Sequence, residues 1–203
     1  MKKLRIFFLS VFLILLQSKS YSLIEVDISR GNLNPLPISV SPLFADKTSN
    51  NLLKNDLKLE NLGLKIADVI ENNLKQTGLF NPLSREAFLQ KPDIAHLKPR
   101  FEDWALIKSQ ALITGKIIYK DEKLKVEFRL WDILAGREML ALAFTTVPNN
   151  WRRVGHIISD KIYERLTGEK GYFDTRIIYV AEEGPKIKRI KKLAIMDQDG
   201  ANN

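Results

Sequence analysis

Between Asn150 and Val180 the hydrophobic period of the chain changes from that of a helix to that of a strand, across a break bounded by glycines. This junction constrains the fold more than any other stretch. Val154, Ile158, Ile162 and Leu166 fall at i, i+4, i+8 and i+12 and line one face of a helix. Asn149 or Asn150 can accept from the unpaired amides of its first turn, and Gly168 can take the left-handed position that ends it. After Gly171, the run Arg176-Ile177-Ile178-Tyr179-Val180 has β character. One packed unit closes here and another opens, which places a domain boundary at about residue 171.

Upstream, the pattern is one of strands with helices laid on them. Leu23 to Ile28 alternates Ile24, Val26 and Ile28 against Glu25 and Asp27, as a half-buried strand does. Arg30 to Pro37 breaks that alternation with Gly31, two asparagines and two prolines, and Ile38 to Phe44 is a second short apolar run. Asp46 to Asp56 is polar and reads as a loop. A helix is expected from Glu60 to Thr77, with Leu62, Ile66, Val69, Ile70 and Leu74 on one face and Gly78 as its stop. A shorter helix from Phe101 to Ser109 packs Trp104 and Leu106. Three strands follow in hairpin order: the nearly all-apolar Ala111–Tyr119, then Leu124–Leu130, which alternates with Lys125, Glu127 and Arg129, then Glu138–Val147. Lys120–Lys123 and Leu134–Arg137 make the turns. The fold class expected is α+β, a mixed β-sheet with helices packed on one face, followed by an incomplete β-propeller blade.

The incomplete blade is residues 172–203. Arg176–Glu182, a turn at Glu183-Gly184-Pro185, Ile190–Met196 and the Asp197–Gly200 turn read as its opening strands. A blade needs about 40–45 residues and a propeller several blades, so the sequence reads as a fragment of a longer protein. At the other end, Lys2, Lys3 and Arg5 precede an apolar run from Ile6 to Leu16 interrupted at Ser10, and small residues follow at Ser18, Ser20 and Ser22. That is the pattern of a secretory signal, too short for the roughly 20 residues of a membrane-spanning helix. Residues 1–22 are expected to be removed by cleavage near Ser22, leaving a soluble, exported domain of residues 23–171 ahead of the blade.

Charge and composition exclude several function classes. The whole chain carries 32 Lys+Arg against 24 Asp+Glu, but Lys2, Lys3, Arg5 and Lys19 belong to the signal. The remainder has 28 cations against 24 acids, a net of +4, which is ordinary for solubility and no sign of nucleic-acid binding. Zero cysteines exclude disulfides and thiol chemistry. The two histidines, His96 and His156, stand sixty residues apart in no ligand spacing, and His156 reads as a hydrogen-bonded packing residue. Serine-hydrolase elbow, phosphate-binding loop and zinc-protease motifs do not occur. Asp121 and Glu122 sit in a turn, where carboxylates are usually solvated. No catalytic residue, cofactor or metal is expected. A periplasmic carboxylate-dependent hydrolase remains an alternative because its acids could come from distant segments. So does a basic-surface binding module built on Lys186, Lys188, Arg189, Lys191 and Lys192. That run has no aromatic platforms between its cations, and lysines guarding an edge strand are the plainer reading.

Five strings carry a family resemblance. L-T-G-E-K-G-Y-F-D-T-R-I-I-Y-V (Leu166–Val180), preceded by W-R-R-V-G-H-I-I-S-D-K-I-Y-E (Trp151–Glu164), resembles the junction in the TolB family of periplasmic Tol-Pal proteins. There, an α/β amino-terminal domain meets a first propeller blade. T-G-L-F-N-P-L (Thr77–Leu83), Trp104 followed by A-L-I-T-G-K-I (Ala111–Ile117), and L-K-V-E-F-R-L-W-D (Leu124–Asp132) agree in the same order. The resemblance implies a non-enzymatic periplasmic protein, peripherally associated with the cell envelope, acting in outer-membrane integrity and constriction during cell division. It also implies that the mature amino-terminal segment contacts the carboxy-terminal domain of TolA. On this sequence that segment falls on Leu23, Ile24, Glu25, Val26, Asp27, Ile28, Ser29 and Arg30. A detachable alternating strand of this kind can add to the open edge of a partner sheet; the plainer alternative is an edge strand of its own sheet. Pal engages the propeller in this family, and residues 172–203 are too few to form one, so Pal binding does not carry over to these residues.

Overall fold

The three-strand hairpin series forms as its alternation requires. In the computed structural model, which describes residues 34–45 and 59–202, β4 (Ala111–Lys120), β5 (Lys123–Asp132) and β6 (Arg137–Thr146) run antiparallel in sequence order. The turn between β4 and β5 is tighter than expected. Lys120 pairs with Lys123, and only Asp121 and Glu122 turn, both with positive φ (51° and 59°). Two left-handed residues in succession match the twist of the flanking strands.

β1 (Leu36–Val40) and β2 (Phe44–Ala45) replace the single expected run Ile38–Phe44. Both pair in parallel with β4, Val40 opposite Ile113 and Phe44 opposite Lys116, so the Ser41–Leu43 link holds one residue more than the strand beside it. Pro42 has no N–H to give the ladder. The freed Leu43 N–H donates instead to the carbonyl of Gly63 at 3.3 Å, inside α1 (Leu59–Gln76). β3 (Phe80–Pro82), which the periodicity did not reveal, pairs in parallel with β1 and completes the order β3-β1-β4-β5-β6.

α1 and α4 (Trp151–Thr167) lie together on one face of this mixed sheet. Leu62, Ile66, Ile70 and Leu74 from α1, with Ile158, Ile162 and Leu166 from α4, are fully buried against Ile113, Ile117, Val126 and Phe128. Each such side chain contributes about 1.5–3 kcal/mol by leaving water. The helices approach closely at Gly155, where an added Cβ would stand 2.9 Å from Val69 Cγ1. Gly168 ends α4 in the left-handed region (φ 76°), as expected. The start differs. Asn150 occupies the N-cap position without a side-chain capping bond, because a 3-10 turn at Pro148–Asn150 leads directly into the helix.

A smaller apolar cluster stands beside Leu112, whose side chain is opposite in facing to that of Ile113 on the same strand. Two short helices, α2 (Pro92–Ala95) and α3 (Phe101–Leu106), close it with Ala95 and Trp104 around Trp131 and Ile133. Gln90 Oε1 accepts from Trp104 Nε1 and from the Arg100 amide, both at 2.8 Å. Trp104 is buried as expected, but Leu106 is 74% exposed: α3 ends there, and its single buried position is Trp104.

β7 (Arg176–Glu183) and β8 (Ile190–Asp197) form a separate two-stranded sheet. Ile178, Val180, Ile190 and Leu193 on this hairpin are 58–78% exposed. A two-stranded ribbon has no second layer to cover its apolar groups.

Candidate functional site

The expected partner-binding residues Leu23, Ile24, Glu25, Val26, Asp27, Ile28, Ser29 and Arg30 lie outside the described residues, as do the signal of residues 1–22 and the expected loop Asp46–Asp56. The cations at the end of the chain lie on and beside the hairpin. Arg189 (2.5 Å) and Lys191 (3.2 Å) pair with Glu182, and Lys192 pairs with Glu183 at 2.8 Å. Arg189, then Lys191, hold the Glu182 carboxyl below its ordinary range. His96 stacks on Phe44 with ring centroids 4.6 Å apart.

The polar constellation that the fold builds is elsewhere, where α1, α4 and the turn after β8 meet. Helical spacing puts Arg152, His156 and Ser159 on one side of α4, and α1 offers Asn73 from within its apolar stripe. Asn73 is fully buried, and its amide nitrogen donates to His156 Nδ1 and to Ser159 Oγ, both at 2.9 Å. Ser159 passes its own proton to the Gly155 carbonyl at 2.9 Å. From the turn, Gln198 Nε2 donates to Asn73 Oδ1 at 3.0 Å. This chain of bonds ties residue 198 to helices far back in the sequence.

Beside it is a knot of charge. The Arg152 guanidinium contacts Asp199 Oδ2, and its Nε lies 3.5 Å from Asp197 Oδ2. His156 is 2% exposed, and its Nε2 has no hydrogen-bond partner, with Asp199 Oδ2 at 3.9 Å. Burial pushes the imidazole below its usual pKa, Asp199 opposes that, and Arg152 adds to it. His156, Asp197 and Asp199 each bring a potential metal-ligating atom within 4.8 Å of the others. Arg152 already stands on both carboxylates as their countercharge, so the arrangement favours an arginine-filled junction over a cation site.

A second fastening lies at the other end of the connector. Asp160 on α4 accepts from the amides of Phe173 (2.6 Å) and Asp174 (3.1 Å), and Gly171 packs against its side chain. Asp174 in turn takes the Arg153 guanidinium at 3.0–3.3 Å. His156 is thus the hydrogen-bonded packing residue expected of it, but its partners were not foreseen. The one available signal was Asn73 itself, a polar residue inside the apolar face of α1. Among the described residues, no helix is long and apolar enough to cross a membrane.

Comparison with known proteins gives this architecture relatives. The sequence model of the TolB amino-terminal domain matches residues 24–139. The Tol-Pal system protein TolB of Pelagibacter ubique (strain HTCC1062) is 71% identical over 196 residues, which are 97% of this chain and 44% of that protein. The crystal structure of TolB from Acinetobacter baumannii superposes with a TM-score of 0.67 at 21% identity, covering 89% of this chain and 40% of that one. At that identity the superposition speaks for the fold alone. The chain therefore spans less than half the length of the relatives it matches, and by the family model's coverage it belongs to the TolB amino-terminal domain family.

Proposed function

We propose that this chain works in the periplasm as a non-enzymatic interaction module of a Tol-Pal system, contributing to outer-membrane integrity and to constriction during division. The observation that carries this reading is the 71% identity to a Tol-Pal TolB along 97% of the chain. In this reading residues 1–22 direct export and are removed, residues 23–171 form the amino-terminal domain, and residues 172–203 open the first propeller blade. Leu23 to Arg30 is the contact for the TolA carboxy-terminal domain. Its alternation of Ile24, Val26 and Ile28 with Glu25 and Asp27 suits strand addition, in which backbone bonds supply affinity and alternate side chains supply selectivity. Pal is assigned to the propeller and not to residues 23–171.

Calorimetric titration of a TolA carboxy-terminal domain into residues 23–203, beside a matched 31–203 chain, tests the assignment. Binding by the longer chain alone is the expected result. Equal binding by both would move the contact onto the folded body. Absence of binding by the longer chain would remove TolA from the reading. A steep loss of affinity with salt, abolished by neutralising Lys186 to Lys192, would instead favour a basic-surface contact.

A further inference from the structure

The bond chain from His156 through Asn73 to Gln198 has a direction, and that direction depends on one proton. Asn73 Nδ2 spends both hydrogens, one on His156 Nδ1 and one on Ser159 Oγ. His156 Nδ1 is therefore a lone-pair acceptor, and the ring proton is on Nε2, facing Asp199 at 3.9 Å. Asn73 Oδ1 is left as the acceptor for Gln198 Nε2 at 3.0 Å. An added proton makes both imidazole nitrogens donors. Nδ1–H would then face the Asn73 amino group, donor against donor, with Asn73 fully buried. Asn73 can relieve this only by turning its amide. That gives up the Ser159 contact, whose own proton is held by the Gly155 carbonyl, and presents a donor to Gln198 where an acceptor had been, so the bond to the turn survives only if Gln198 turns its amide as well.

We propose that His156, Asn73 and Gln198 form a proton-controlled latch that fastens the Asp197–Gly200 turn, and with it the β7–β8 hairpin, to α1 and α4 while His156 is neutral, and loosens it on protonation. The groups facing His156 are Arg152 on its own helix, Asp174 in the connector, and Asp197 and Asp199 on the turn, with Arg153 of α4 and Arg176 of β7 lining the same cleft, while α1 presents the neutral Asn73. Lys65 and Asp68 of α1 border the neighbouring cleft with Arg152 and Asp199. The carboxylates favour an imidazolium, but Arg152 already neutralises Asp199, and burial outweighs them. The sign follows from linkage. A histidine whose pKa is depressed in the docked state takes up its proton more readily once hydrated. Docking is thus complete above the ordinary histidine pKa and weakens as pH falls below it. The turn is the side that yields, because Gln198 is only partly buried and Asn73 is locked in the core.

Hydrogen exchange of residues 176–202, corrected for intrinsic rates and followed from pH 7.5 to pH 5 on the 23–203 chain, tests this beside nitrogen NMR of the imidazoles, with His96→Gln to assign the two rings. The expected result is an Nε2–H tautomer for His156 at pH 7.5. Protection of β8 should fall by about two- to tenfold on acidification, the equilibrium worth of one net hydrogen bond. The midpoint should track the His156 titration, with α1 and α4 unchanged. His156→Asn keeps an acceptor toward Asn73 and cannot titrate, so it should lose the pH dependence. Gln198→Ala, in the turn and unable to unfold the body, should show the lowered protection at both pH values. An Nδ1–H tautomer at pH 7.5, protection that is unchanged or rises on acidification, or the same pH dependence in His156→Asn would each overturn the latch.

Discussion

Gly63→Ala sets local helix propensity against tertiary packing, and the two predict opposite signs. Gly63 lies within α1, and in an exposed helix interior alanine in place of glycine gains about 1 kcal/mol. Here, however, a Cβ on residue 63 would stand 2.1 Å from the Leu43 carbonyl oxygen and 3.1 Å from its carbon. That neighbour is backbone, so no side chain can swing aside; the Ser41–Leu43 link must retreat by roughly an ångström for ordinary contact. The retreat weakens the Leu43 N–H to Gly63 carbonyl bond, worth about 0.5–1.5 kcal/mol, and disturbs Leu43, which is 3% exposed. Overpacking of this kind costs about 1–3 kcal/mol. Added to the weakened hydrogen bond and set against the propensity gain, this leaves a net loss of about 0.5–3.5 kcal/mol, a fall in Tm of roughly 1–14 °C for a domain of this size. Urea and thermal melts followed by circular dichroism measure it. Asn72→Ala, at an exposed position of the same helix, is the control and should gain a few tenths of a kcal/mol. A Gly63→Ala protein as stable as the parent, or more so, would show that the link does not rest on α1 as described.

Further substitutions test other parts of the fold. Ile158→Ala empties a fully buried site between α4 and the sheet and should cost about 2–5 kcal/mol, read as a shift of the urea midpoint at unchanged m-value. Thr114→Val removes the acceptor 2.8 Å from Trp131 Nε1 and leaves a buried indole N–H unpaired, for a loss of about 1–3 kcal/mol together with altered tryptophan emission. Asp160→Ala frees the Phe173 and Asp174 amides and should raise hydrogen exchange across residues 171–175 while the sheet stays protected. The Glu127 carboxyl is held below its usual range chiefly by its hydrogen bond to Lys125, with Lys116 and Arg129 assisting. Its contribution is present above the ordinary glutamate pKa and is lost as pH falls through the lowered one. Glu127→Gln should therefore destabilise slightly at pH 7 and not at pH 2.5, and equal effects at both would refute the pairing.

Wherever a segment's partners follow from its own period, the sequence was enough to read it. The alternation of Leu124, Val126, Phe128 and Leu130, the stripes of α1 and α4, and the stops at Gly78 and Gly168 depend on which side of one element is apolar, and each formed where expected. The family resemblance carried by the residues after Leu166 was equally legible. Tertiary structure decided whatever depends on a partner distant in sequence. Phe80–Pro82 is too short to show a period and is a strand only because β1 runs beside it. Pro42 splits an apolar run because one extra residue must be absorbed there and a backbone donor is redirected to Gly63. Leu106 continues an apolar pattern and is left in water because only one side of α3 meets a neighbour. Asn73 stands out only as a polar residue within the apolar face of α1, nothing in the sequence names His156 and Gln198 as its partners, and their meeting point is set by the packing of two helices and a turn. Hydrophobic period is a local property of the chain, whereas hydrogen-bond complementarity between separate elements exists only once they are packed together.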